Sequence, residues 1–166
     1  MRVGHAMACG TLMAAAMIPG IPGFGASAQA TTDSEAIALN GKYRATSDGQ
    51  RAHTNDQFHT EPTVTAIWTI TSTCENLLSC TGQVTSDQGW SAPIQMVGGN
   101  LWRVVHDVPN WEQCGDGMPA ATGHQIFRFS IDDKLEGDDK TVGPSGACGA
   151  NRWLVIDMPF KLVKIG

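Results

Sequence analysis

The sequence TVTAIWTITSTCENLLSCTGQVTSDQGW, at residues 63–90, contains two segments in which apolar and polar side chains alternate. Such a period of two is typical of a half-buried β-strand. One face of the first segment carries its large apolar side chains: Val64, Ala66, Trp68 and Ile70. The second segment repeats the pattern from Cys80 to Trp90. Together the two segments predict an antiparallel hairpin with one buried face.

Residues 1–30 are predicted to be a signal peptide. An apolar run at residues 6–18 is followed by Ala28-Gln29-Ala30, the small-x-small pattern that signal peptidase cleaves. We expect cleavage near Ala30, which leaves one secreted domain at residues 31–166. The apolar run is shorter than the about 20 residues that a membrane-spanning helix needs, so we expect no permanent membrane anchor.

Four cysteines follow the predicted leader, and an even number in an exported chain favours disulfide bonds. Four cysteines allow three pairings, of which we predict Cys74–Cys80 and Cys114–Cys148. The first pair stands at the facing ends of the hairpin strands, and the second closes a longer loop. A structural zinc site is the alternative, but the spacings match none of the usual zinc patterns.

The predicted secreted domain is acidic. Residues 31–166 contain 10 Lys and Arg against 16 Asp and Glu, a formal net charge of −6. An acidic surface repels phosphate backbones, so nucleic acid is not expected as a partner. The length fits a single domain.

The same alternation recurs along the rest of the chain and predicts strands at residues 39–47, 101–108, 125–131 and 153–165. Residues 50–62 and 109–123 are interpreted as long loops, and residues 132–137 as a turn. Seven or eight short strands indicate an all-β fold, either a single antiparallel barrel of the up-and-down, lipocalin-like kind or a sandwich. Closure removes exposed strand edges and favours the barrel. Pro159 predicts an edge or a bulge in the last strand.

The inward faces of these strands collect a set of aromatic side chains that are candidate ligand-binding residues: Tyr43, Trp68, Trp90, Trp102, His106 and Phe127. An eight-stranded barrel is either filled by its own side chains or holds one small ligand. Aromatic side chains with a few polar atoms suit both a ligand pocket and a packed core, so the sequence leaves both open.

Other candidate sites have simpler explanations. His53 and His59, with Asp56 and Glu61, are metal-ligand types, but their spacing within a loop matches no fixed metal pattern, so neither a metal nor a cofactor is assigned. Ser145 lies in a Gly-Pro turn that lacks the second glycine of a nucleophile elbow. The acidic residues 132–139 lack the register of a calcium loop and are interpreted as a solvated turn.

Several segments carry a family resemblance: LNGKY at residues 39–43, WTITSTC at residues 68–74 and GACG at residues 146–149, with Trp102 and Pro159. With the predicted leader, they resemble small secreted proteins of mycobacteria and related actinobacteria, which are uncharacterised in function. They are more distantly similar to extracytoplasmic domains of some mycobacterial serine/threonine kinases. The resemblance implies export, disulfides and a location in the cell envelope or outside the cell, and it supplies no catalytic residue.

These observations predict a non-enzymatic secreted domain that binds a small apolar ligand or a component of the cell envelope. A small secreted hydrolase or metal-dependent enzyme that uses His53, His59 or His106 is the first alternative. A purely structural secreted protein is the second. The sequence predicts no oligomeric state.

Overall fold

The computed structural model describes residues 35–115 and 117–166, and this part of the chain is almost entirely β-structure. The predicted signal peptide lies outside the described residues. Among the residues that the structure describes, no helix has the length and apolar character needed to cross a membrane.

Ten strands run through the described residues. They are β1 (Gly41–Ser47), β2 (His53–Thr54), β3 (Gln57–Phe58), β4 (Val64–Asn76), β5 (Ser79–Ser86), β6 (Ser91–Val97), β7 (Leu101–Glu112), β8 (Ala121–Ser130), β9 (Glu136–Val142) and β10 (Val155–Lys164). Two short 3₁₀ turns lie at Gly49–Arg51 and Ala147–Gly149.

Eight of these strands close into an antiparallel barrel, which confirms the predicted fold. Their order around the barrel is β1-β4-β5-β6-β7-β8-β9-β10, and β10 returns to β1. The closing pairs run from Tyr43 opposite Lys164 to Ser47 opposite Phe160. The hairpin of β2 and β3 lies outside this circuit and pairs with β10 at Ile156 and Asp157.

Pro159 lies where β10 changes partners, between its pairs with β2 and its pairs with β1. The carbonyl of Pro159 accepts a hydrogen bond of 2.8 Å from the backbone N–H of Asp48, just after β1. Because the N–H and C=O of one strand residue point to the same neighbour, the missing N–H of Pro159 also faces this junction and costs no ladder bond with β9. The sequence predicted an edge or a bulge here, and the structure shows a gap in the pairing of β10 between two successive partners.

One end of the barrel is plugged by apolar side chains, and we call it the plugged end. Trp102 and Phe129, which pair across β7 and β8, are fully buried there. Leu39 covers this end, and its backbone N–H donates to Ser72 Oγ at 2.8 Å. Burying each large aromatic side chain stabilises the fold by about 1.5–3 kcal/mol, so this end holds much of the core.

Both predicted disulfides are present. Cys74–Cys80 joins β4 to β5 beside the hairpin turn, where the two residues are direct cross-strand partners. Cys114–Cys148 joins the segment after β7 to the second 3₁₀ turn, before β10. The disulfides fit a chain that folds in an oxidising compartment, as expected for an extracellular location.

The structure corrects the interpretation of three segments. The loop predicted at residues 50–62 contains the hairpin of β2 and β3. The loop predicted at residues 109–123 is shorter, residues 113–120, because β7 continues to Glu112 and β8 begins at Ala121. The acidic residues Asp138 and Asp139 belong to β9 and not to a solvated turn. The buried positions of β9 are Asp139 and Thr141, so the strand lacks the alternation of apolar residues by which the other strands were predicted.

Candidate functional site

The end of the barrel opposite the plugged end contains a hollow, and we call it the open end. The hollow has a volume of about 260 Å³. Its walls are mostly apolar and come from Pro62, Val64, Val108, Trp111, Ile156 and Met158. Its polar lining comes from Glu61, Gln88, Gln125 and Thr141.

A much smaller cavity of about 30 Å³ adjoins the hollow on the side of the barrel interior. Val64, Gln88 and Gln125 line both spaces. Aromatic rings form much of the wall of the small cavity: Trp68, Trp90, Phe127 and Phe160. A space of this size has room for about one water-sized group.

Asp139 lines the small cavity and is the most unusual residue of the site. Its side chain is 1% exposed. The hydroxyl of Ser47 donates to Oδ2 at 2.6 Å, and the amide Nε2 of Gln125 donates to Oδ1 at 2.8 Å and to Oδ2 at 2.9 Å. The carboxyl group is therefore held from β1 and β8, the strands on either side of the β9–β10 pair.

The surroundings of Asp139 disfavour its charged form. Burial raises the pKa of Asp139 to about 6, although the hydrogen bonds from Ser47 and Gln125 act in the opposite direction. The nearby carboxylates of Asp157 and Asp138 raise this pKa further. Asp139 thus titrates close to neutral pH.

His106 and Trp90 form a stacked pair beside this site. Their ring centroids are 4.0 Å apart with an angle of 15° between the ring planes. Nδ1 of His106 is 3.1 Å from the carbonyl of Asp107, which can only accept, so Nδ1 carries the proton in the neutral ring. Nε2 is buried, and within the described residues no group meets it at hydrogen-bond geometry, although the side chain of its cross-strand neighbour Gln125 lies close enough to raise the pKa of His106. Burial lowers the pKa of His106, while the carbonyl of Asp107 and the Gln125 side chain oppose that effect.

The six candidate ligand-binding residues from the sequence divide between two places. Trp68, Trp90 and Phe127 line the small cavity, and His106 stacks on Trp90. Trp102 lies in the plugged end. Tyr43, on β1, is buried opposite Trp68 of β4, and burial raises the pKa of Tyr43. These last two therefore belong to the packed part of the core.

Asp139 and the two residues that donate hydrogen bonds to it, Ser47 and Gln125, were not among the sequence candidates. Two of them carried a usable signal, since Ser47 has the same strand parity as Tyr43 and Gln125 the same parity as Phe127. Both are thus expected on the inward face. Asp139 had no such signal because the strand that carries it was not recognised.

The candidate metal ligands from the sequence do not meet at one point. His53 contacts Phe58 edge-to-face at 6.1 Å, and His59 Nδ1 lies 3.0 Å from Glu61 Oε1. Within residues 35–115 and 117–166, the structure contains no group of three or more His, Cys, Asp or Glu side chains placed to hold a metal ion.

The serine considered as a nucleophile lies on the outside of the barrel. Ser145 and His124 border the same open surface depression, and His124 Nδ1 lies 3.0 Å from Asp107 Oδ1. All three residues are exposed, and no hydrogen bond in the described part of the chain joins Ser145 to His124.

The fold and the site define a closed eight-stranded antiparallel barrel with one plugged end and a small pocket at the other. A solved structure of this kind is the sensor domain of PknI from M. tuberculosis in its monomer form, with 15% sequence identity and a TM-score of 0.54. The match covers 78% of this chain and 88% of that one. The predicted distant similarity to a mycobacterial kinase domain is therefore confirmed for the fold. No protein-family model matches the sequence, and no curated protein is significantly similar to it.

Proposed function

We propose that this chain is a non-enzymatic binding domain that takes one small, largely apolar ligand at the open end of the barrel. The observation that carries the proposal is the hollow of about 260 Å³ with apolar walls and a few polar groups at its base. Ligand pockets usually combine these two features, in volumes of about 300–1000 Å³. The volume here is slightly smaller, so the ligand is smaller than a typical cofactor.

The similarity to a sensor domain supports the same proposal by analogy of fold, because a sensor has to recognise a molecule. We further propose that the domain acts outside the cytoplasm, in the cell envelope or the medium, after cleavage near Ala30. The two disulfides support this location because such bonds persist in oxidising compartments.

The enzymatic alternative receives less support. An enzyme that uses His53, His59 or His106 needs a carboxylate or a metal beside the reacting group. His59 has the carboxylate of Glu61 beside it, but its side chain is exposed, and within the described residues no group of metal ligands forms around His53 or His59. His106 stacks on Trp90 inside the barrel with Nδ1 directed at the carbonyl of Asp107. No cofactor is needed for the binding role.

The proposal is tested with N-phenyl-1-naphthylamine, a neutral apolar dye, as the probe. Wild-type protein is expected to bind one dye molecule and to increase its fluorescence. Val108→Trp fills part of the hollow from β7 and should weaken binding by about tenfold or more, the equivalent of about 1.4 kcal/mol. Val105→Trp, on the outward face of the same strand, is the matched control and should bind as the wild type does.

Two outcomes contradict the proposal. Failure of the wild-type protein to bind the dye favours a purely structural role. Equal weakening by both tryptophan variants places the dye elsewhere on the surface. Native mass spectrometry of the unreduced protein, purified from its own host, supplies an independent readout, since a bound ligand adds its mass to that of the chain.

A further inference from the structure

The two connected spaces at the open end have an acidic lining. Asp139 and Glu61 are the charged side chains among the described residues that border them, and neither Lys nor Arg is present in this lining. Glu61 already accepts hydrogen bonds from Thr54 at 2.8 Å and from His59 at 3.0 Å. In the part of the chain that the structure describes, no Lys or Arg side chain borders the cavity beside Asp139 to balance its negative charge.

The carboxylate of Asp139 is only partly satisfied by its neighbours. A carboxylate has about four acceptor sites, two on each oxygen. Ser47 occupies one site on Oδ2, and the single nitrogen Nε2 of Gln125 shares its donation between Oδ1 and Oδ2. One acceptor site on Oδ1 is left, and a buried carboxylate without a cation is costly because protein surroundings solvate it less well than water.

The size of the small cavity limits what can meet this carboxylate. Its volume of about 30 Å³ suits a group of roughly the size of one water molecule. A primary ammonium group has this size, whereas a trimethylammonium group is several times larger. The faces and edges of Trp68, Trp90 and Phe127 border the same space, and aromatic faces attract ammonium ions.

Among the described residues, no Lys or Arg side chain lines either space. His106 stacks on Trp90 beside the site, and its burial favours the neutral ring. The acidic net charge of the chain, −5 over its full length, also attracts cations to it.

We propose that the ligand of the open end carries a primary ammonium group, which enters the small cavity and pairs with Asp139, while the apolar part of the ligand fills the hollow above. This inference rests on the proposed binding function and specifies the class of ligand. The ammonium group donates one hydrogen bond to Oδ1 of Asp139, and Gln88 and Gln125, which border both spaces, flank its entrance.

The test is calorimetric titration of the wild-type protein at about pH 8, where the Asp139 carboxyl is ionised. The three probes share a benzyl group and differ only in the polar group attached to it. Benzylamine is expected to bind at one site and at least about tenfold more tightly than benzyl alcohol, since a hydrogen bond to a charged group contributes about 1.5–3 kcal/mol. Benzyltrimethylammonium is expected to bind no better than the alcohol, because its head group exceeds the small cavity.

Two variants assign the preference to one carboxylate. Asp139→Asn keeps the shape of the side chain and should remove the preference for the amine over the alcohol. Asp138→Asn changes the neighbouring carboxylate, which has the opposite strand parity, and should keep the preference. The comparison of probes on wild-type protein stands even if Asp139→Asn folds poorly.

The outcomes separate this inference from the proposed function. Equal affinity for benzylamine and benzyl alcohol, or a preference that survives in Asp139→Asn, overturns the ammonium assignment and leaves the apolar pocket intact. Absence of binding by all three probes and by the naphthylamine dye overturns the proposed function itself.

A primary ammonium group belongs either to a small amine or to the lysine side chain of another protein. Titration with Nα-acetyl-lysine amide distinguishes these sources. Tighter binding of benzylamine assigns the site to small amines, and tighter binding of the lysine derivative assigns it to a lysine side chain; both results retain the ammonium pair with Asp139.

Discussion

The hydroxyl of Ser47 donates a 2.6 Å hydrogen bond to Oδ2 of Asp139, which is 92 residues later in the chain. The bond crosses the interior of the barrel from β1 to β9, two strands that are separated by β10 in the sheet. It therefore links parts of the barrel that the backbone ladder does not join directly. The bond also provides one of the few polar contacts that offset the burial of the carboxyl group.

Replacing Ser47 by Ala should destabilise the protein mainly when Asp139 is ionised. The buried carboxylate then loses a charge-assisted donor, which costs about 2 kcal/mol. Urea unfolding at about pH 8 and about pH 4 should show the larger loss at the higher pH. Ser130→Ala is the control, because Ser130 donates to Asp132 at the same distance of 2.6 Å but in a solvent-exposed bond. Similar losses in both variants at about pH 8 would argue against a special role for the interior bond.

Replacing Asp139 by Asn should change how stability depends on pH. The pKa of Asp139 is raised from 3.8 to about 6, so between these values the folded state binds more protons than the unfolded state. Stability contributed by this group is present below about pH 4 and is lost as the pH rises through about 6. The shift corresponds to about 3 kcal/mol.

Asp139→Asn removes this loss, so its stability relative to the wild type should improve by up to about 3 kcal/mol from about pH 4 to about pH 8. The measurement is the free energy of unfolding in urea at both pH values. Asp138→Asn, at a half-buried carboxyl whose pKa burial also raises, should give a smaller change of the same sign. If the difference between Asp139→Asn and the wild type does not change with pH, Asp139 does not titrate in this range.

Much of this barrel was predictable because its strands alternate cleanly. Trp68 and Phe127 followed the expected parity, and the cysteine pairs followed from the hairpin and from the even count. Strand β9 was not predicted because its interior positions are polar. The hydrogen bonds that stabilise the buried Asp139 come from Ser47 and Gln125, which are distant in the sequence. Local patterns contain no information on such partners. The hairpin of β2 and β3 was not predicted because strands of two residues are too short to show an alternating pattern.

The two disulfides should differ in their contribution to stability. Cys114–Cys148 closes a loop with a sequence separation of 34, whereas Cys74–Cys80 spans 6 residues. The chain-entropy account gives about 4 kcal/mol for the longer loop and about 2 kcal/mol for the shorter one. Urea unfolding of the paired alanine variants, Cys114→Ala with Cys148→Ala and Cys74→Ala with Cys80→Ala, should show this order. The reverse order would indicate that structure retained in the unfolded chain dominates the effect.

Replacing His106 by Phe should stabilise the protein, and more so in acid. The substitution keeps a ring stacked on Trp90 and removes the buried Nε2, which has no hydrogen-bond partner among the described residues, a gain of about 1 kcal/mol. The pKa of His106 is lowered mainly by burial, so the unfolded state binds more protons in acid, and the stability that the neutral ring contributes is lost as the pH falls below the ordinary range of histidine. The gain measured by urea unfolding should therefore be larger at about pH 5 than at about pH 8.

His124→Phe, at an exposed histidine paired with Asp107, is the control and should not stabilise the protein at either pH. A loss of stability in His106→Phe at about pH 8 would mean that Nε2 has a partner which compensates its burial.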